Sequence, residues 1–128
     1  MSEKNLANAC QILVVEDEPA FRAYSARILG NAGYSVSVAS SLEDGLAKLT
    51  DNDPDLIIVS KALPGASGFK LVVEAVQRGL PVILLDSFGS LDSVVEAMRL
   101  GAADFLVRPV SAPSLLERVR VVLEARPK

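Results

Sequence analysis

Apolar residues fall along this chain in short runs that alternate with longer amphipathic stretches. Ile12-Leu13-Val14-Val15 is continuous, too short for a helix and rich in β-branched side chains, which predicts a strand buried on both faces. It ends in Glu16-Asp17-Glu18, and Pro19 then suits the first turn of a helix. Phe21, Tyr24, Ile28 and Leu29 repeat at helical spacing, with Gly30 or Gly33 as the stop. Val36 and Val38 alternate with Ser35 and Ser37, the pattern of a strand buried on one face at a sheet edge. Ser41 with Asp44 three residues on is an acidic variant of the capping box, and Leu42, Leu46 and Leu49 line the helix it starts.

The third strand is Leu56 to Val59, entered through Asn52-Asp53-Pro54 and stopped at Ser60. A loop holding Pro64-Gly65 follows, then a helix from near Gly68 with Leu71, Val72, Ala75 and Val76 on its apolar face, ending near Gly79. Pro81 to Leu85 is the fourth strand, followed by Asp86-Ser87-Phe88-Gly89-Ser90. Leu91, Val94, Val95 and Met98 form the fourth helical stripe, stopped at Gly101. Asp104 to Val107 is the fifth strand, broken by Arg108-Pro109, and Leu115, Leu116, Val119, Val122 and Leu123 share one face of the last helix.

Five β-α alternations without an internal linker imply an α/β fold, a five-stranded parallel sheet with right-handed crossovers and helices on both faces. The doubly wound order 2-1-3-4-5 is expected, with strands one and three side by side at the switch point. The carboxyl ends of the strands then bring Glu16, Asp17, Ser60, Asp86 and Arg108 to one rim. Any one of these is an ordinary solvated loop residue, but the set at corresponding strand ends reads as a site.

Composition narrows the chemistry. At 128 residues, half of them hydrophobic, the chain suits one domain with its own core. Residues 1–10 are expected to be frayed and 11–126 to form the domain. The single cysteine, Cys10, permits no internal disulfide and reads as an ordinary thiol. The N-terminus carries no apolar h-region, and no apolar run approaches the ~18 residues of a membrane span. A cytoplasmic protein with no membrane contact is expected. A net charge of −3 without a basic cluster argues against direct nucleic-acid binding. The absence of histidine removes the commonest general base and the commonest zinc ligand.

Four segments, ILVVEDEPAFR, PDLIIVSKALPGASGFKL, PVILL and AMRLGAADFLVRPV, resemble the receiver (response-regulator, CheY-like) domain of two-component signalling. The resemblance covers about Gln11 to Ala125 and implies the flavodoxin-like (βα)5 fold. It also implies an aspartate at the end of strand three that accepts a phosphoryl group from a histidine kinase, an acidic pair that holds Mg²⁺, a Thr or Ser ending strand four, and a Lys ending strand five. Glu16 and Asp17 stand at the acidic pair, Phe105 at the aromatic switch position, and Pro64-Gly65 matches the loop. Ser60 stands where the acceptor aspartate is expected, Asp86 (followed by Ser87) at the Thr/Ser position, and Arg108 at the Lys position. The acids nearest in sequence, Asp53, Asp55 and Glu74, cannot take the acceptor's place, because LPGASG fixes the register.

Phosphoryl transfer needs a carboxylate nucleophile with Mg²⁺, and a serine hydroxyl without a base is a weak substitute. The expectation is therefore a pseudo-receiver with no catalytic residue, not an enzyme and without a cofactor. Mg²⁺ binding at Glu16 and Asp17 is expected to be weak or absent, with Asp86 as a partial compensation. Asp86 and Arg108, with Asp17 nearby, are expected to form a salt bridge that fixes the loop after strand four; the competing expectation is Asp86 in water and Arg108 neutralising Glu16-Asp17. The resemblance implies protein partners, a histidine kinase or an output domain, and a homodimer through the fourth helix, fifth strand and fifth helix, where Val121 lies off the core stripe. The alternatives are a phosphoacceptor relay, or the regulatory receiver of a bacterial transcription regulator, with chemistry retained at Ser60 or Asp86; a flavin or nucleotide module, disfavoured by Glu16-Asp17-Glu18 where a phosphate loop would lie; and a serine introduced at position 60 by engineering.

Overall fold

The computed structural model describes residues 10–125, so of the expected fraying of residues 1–10 only Cys10 is described, and it is half-buried with its carbonyl accepting from the Ser35 N–H at 3.0 Å; the domain's end at 126 lies outside the described residues. Strand β1 is Gln11–Val15, helix α1 Pro19–Asn31, β2 Ser35–Ala39, α2 Leu42–Asp51 and β3 Leu56–Ser60. Then come β4 Ala62–Leu63, β5 Ala66–Ser67, α3 Phe69–Gln77, β6 Val82–Asp86, α4 Leu91–Arg99, β7 Asp104–Val107 and α5 Ala112–Ala125. The main sheet is parallel in the order β2-β1-β3-β6-β7, which is the expected 2-1-3-4-5 of its five long strands.

Because strand side chains alternate in direction, the continuous apolar runs feed two cores. Leu13, Val15, Ile57, Val59, Val82 and Leu84 pack with the helices α2 and α3 through Leu49, Leu71, Val72 and Ala75. Ile12, Val14, Leu56, Ile58, Ile83 and Leu85 pack with α1 and α5 through Phe21, Leu29, Leu115, Val119 and Val122. β2 takes the expected edge position, but its burial does not alternate: Ser35 is exposed, Val36, Ser37 and Val38 are all half-buried, and Ala39 is buried. Ser41 caps α2 by accepting from the Asp44 N–H at 3.1 Å.

The structure corrects the expectation at three further places. The loop after β3 contains a small antiparallel hairpin, β4 paired with β5, turned at Pro64-Gly65 with Gly65 at φ 63°, where a residue with a Cβ is strained. Val76, placed on the apolar face of the third helix, is 36% exposed. The larger correction is α4, which seats on the sheet through its small residues, Ala97 and Ser93. The stripe expected in the core faces outward: Leu91 is 76% exposed, Met98 49% and Val95 46%, with Val94 half-buried. Periodicity gives a helix two candidate faces here, and the close seat over the sheet admits only the slim one.

Candidate functional site

β3 delivers Ser60 to the rim with no exposed surface, and the segment beyond it folds back tightly. The Gly68 N–H donates to the Lys61 carbonyl at 2.7 Å, and a Cβ on Gly68 would lie 2.0 Å from the Ser60 carbonyl oxygen. Only glycine permits that approach, so the β4-β5 hairpin is folded hard against the end of β3. Asp55 lies at the opposite end of this strand, accepting from the Gln11 N–H, which removes it as a substitute acid.

Glu16, the first residue after β1, is fully buried. Its Oε1 accepts from the Ser60 hydroxyl and from Arg108 Nη1, the latter at 2.7 Å. Its Oε2 accepts from the Glu18 N–H at 2.9 Å. Arg108 also lies 3.6 Å from the Glu18 carboxylate and stacks over Phe21, 5.3 Å from the ring centroid. Arg22 closes the loop from behind, donating to the carbonyls of Glu16 at 2.8 Å and Asp17 at 3.3 Å. Asp17 itself is exposed. A buried carboxylate is tolerated only when paired and hydrogen-bonded, and both Glu16 oxygens are.

The expected Asp86–Arg108 bridge is not formed. Arg108 is committed to Glu16, close to the competing expectation, but Asp86 is not in water: it is 7% exposed. One Asp86 oxygen accepts from the Ser87 N–H at 2.9 Å, and the other lies 3.9 Å from Lys61 Nζ. Lys61 reaches on to Ser93 on α4, donating to its hydroxyl at 2.6 Å. Ser87 is exposed, and Phe105 is half-buried against the core beneath α2 and α3. Lys61, Ser93 and Arg22 were not visible as site residues, since no spacing pattern ties a lysine one residue past a strand to a serine on a helix 32 positions later.

These residues border an open cleft of about 830 Å³ lined by Asp17, Glu18, Phe21, Leu63, Pro64 and Arg108 among others. Among the described residues no group of three or more carboxylate, imidazole or thiol ligands is placed to hold a metal ion. The donor set therefore does not fit Mg²⁺: the better-placed carboxylate has both oxygens occupied, and a guanidinium nitrogen stands beside it where a cation would go.

The family model described as the response regulator receiver domain matches residues 12–120. The transcriptional regulatory protein CusR of Escherichia coli strain K12 is 35% identical over 115 residues, 88% of this chain and 51% of that protein. The transcriptional regulatory protein AfsQ1 of Streptomyces coelicolor is 39% identical over 114 residues, 88% of this chain and 50% of that protein. The chain thus spans about half the length of these curated relatives. A solved CheY-like receiver domain protein from Methanospirillum hungatei superposes with a TM-score of 0.86 at 28% identity, covering 91% of this chain and 95% of that one. With the sheet order, the hairpin after β3 and a match running through nearly every element, the chain belongs to the response regulator receiver family.

Proposed function

We propose that this receiver domain takes no phosphoryl group at Ser60, holds no Mg²⁺, and works in signalling by binding protein through the face made by α4, β7 and α5. The observation that carries the reading is Glu16, fully buried with Ser60 and Arg108 both on one of its oxygens. Ser60 spends its proton on that carboxylate and is sealed from any donor. The Glu16 oxygen that the hydroxyl meets is the same one that Arg108 Nη1 occupies, so it is already committed to a cation. Arg108 supplies in permanent form the positive charge that a metal brings to such a site.

The proposed binding face is apolar beyond what a lone exposed residue needs. Phe88 and Leu91 are 77% and 76% exposed, and Val95, Met98, Val107 and Val121 are each exposed by two-fifths or more. Exposed large apolar side chains in this number, on α4, the loop before it, β7 and α5, are the kind of surface that interaction sites use. The partner is a protein of a two-component pathway: an output domain, a histidine kinase or a second copy. The named relatives are transcriptional regulatory proteins in which the matched segment makes up about half of the chain. The domain acts without catalysis, in the cytoplasm; no described helix is long and apolar enough to cross a membrane.

The test is incubation with radiolabelled acetyl phosphate and Mg²⁺, alongside a beryllofluoride titration followed by NMR. The expected result is no covalent label and no shifts at Ser60, Lys61 or Asp86. A stable phosphoester at Ser60 or an acyl phosphate at Asp86 overturns the reading in favour of a relay.

A further inference from the structure

We infer that Lys61 is an internal tether that ties the first turns of α4 to the end of β3, and so fixes how the exposed apolar stripe of α4 is presented. The backbone of Lys61 is held on both sides. Its N–H donates to the Leu85 carbonyl at 2.8 Å, and its carbonyl accepts from the Gly68 N–H at 2.7 Å. From this fixed root the side chain crosses the Phe69 ring, with Nζ 5.9 Å from the centroid. The ammonium then meets the Ser93 hydroxyl at 2.6 Å and lies 3.9 Å from Asp86. One cation therefore joins the end of β3, the end of β6 and α4.

The contact matters because α4 has little else to hold its N-terminal half. Leu91 and Val95 look outward, and the buried residues of the helix are Ser93 and Ala97. Ser93 is 4% exposed, so its hydroxyl meets its hydrogen-bonding needs inside the protein, and Lys61 supplies a charged donor. The helix start is set independently, with Ser90 accepting from the Ser93 N–H at 3.2 Å. The cap fixes where α4 begins; the Lys61–Ser93 bond fixes where that turn sits over the sheet. Before α4, the loop is pressed onto β7, where a Cβ on Gly89 would lie 2.8 Å from a Val107 methyl. A partner that reads Phe88, Leu91 and Val95 thus meets a surface already ordered, which lowers the entropy cost of docking.

The tether is read by amide hydrogen exchange on the whole chain, comparing the natural protein with K61M, S93A and the double variant. K61M keeps the apolar stem over Phe69 and removes only the charge and the donor. Each single substitution is expected to speed exchange in α4 on the order of tenfold, as loss of a charge-assisted hydrogen bond predicts, while β1 and β3 keep their rates. The double variant is expected to exchange no faster than either single one. Unchanged α4 rates, multiplicative effects in the double variant, or an equal acceleration across the sheet overturn the tether. The idea rests on the protein-binding reading only for its consequence: exchange rates test the tether, and acetyl phosphate labelling tests Ser60, so the two fail separately.

Discussion

The end of β3 separates two clusters in which a buried acid meets a cation, and they are built differently. On the β1 side, Glu16 has no exposed surface and both oxygens are filled by hydrogen bonds, at 2.7 Å from Arg108 and 2.9 Å from the Glu18 N–H. On the β6 side, the Asp86 side chain is 10% exposed, its cation is 3.9 Å away, and that cation is 37% exposed and shared with Ser93. The first cluster behaves as part of the core: nothing enters without breaking it. The second is a partly solvated joint between the sheet and a helix that has few apolar anchors. A surface for binding with no transfer, as proposed, needs both a locked centre and an edge that can be ordered.

Arg108→Met should separate the two clusters most strongly. It leaves Glu16 buried without its cation, and removing one partner of a buried pair costs about 3–5 kcal/mol. The low end applies, because the Arg108 side chain is 19% exposed. Urea unfolding measures it, and a loss below about 1 kcal/mol would place the pair with ordinary surface bridges. Ser60→Asp comes next. It sets a second carboxylate against Glu16 and should destabilise by about 2 kcal/mol through like-charge repulsion in a dry site. Mg²⁺ should leave the unfolding midpoint of both this variant and the parent chain unchanged, because Arg108 still stands where a cation would go; a rise in the variant would show that the missing carboxylate alone keeps the metal out.

Asp86→Ala, on the open side, should cost about 1 kcal/mol, since it removes one hydrogen bond to the Ser87 N–H and a long ion pair. A cost equal to that of Arg108→Met would erase the distinction between the clusters. The smallest effect on stability belongs to Leu91→Ser with Val95→Ser, within about 0.5 kcal/mol because both side chains are already exposed. These substitutions should instead abolish self-association or capture of an output domain, measured by sedimentation or pull-down.

The sheet was legible because its strands are near-continuous apolar runs, which only a doubly covered parallel sheet can bury, and the strand ends then follow from topology. That placed Glu16, Ser60, Asp86 and Arg108 on one rim. Which acid takes which cation was not legible. Arg108 and Lys61 both reach the rim, and the assignment of Arg108 to Glu16 depends on side-chain reach across strands that are not neighbours in the sheet. In α4 the stripe of Leu91, Val95 and Met98 gave the helix but the wrong buried face.

The order of hydrophobic and polar residues by itself determined the elements, their sequence, and the rim where the polar strand ends meet, because burial of alternating and continuous runs leaves few arrangements of a single parallel sheet. The tertiary structure alone decided that Ser60 and Arg108 close on Glu16, that Lys61 bridges Asp86 and Ser93, and that α4 shows its larger apolar residues to the outside. These outcomes turn on distances of a few ångströms between residues tens of positions apart, and on which side chains fit beneath a closely seated helix, quantities that exist only once the chain is folded.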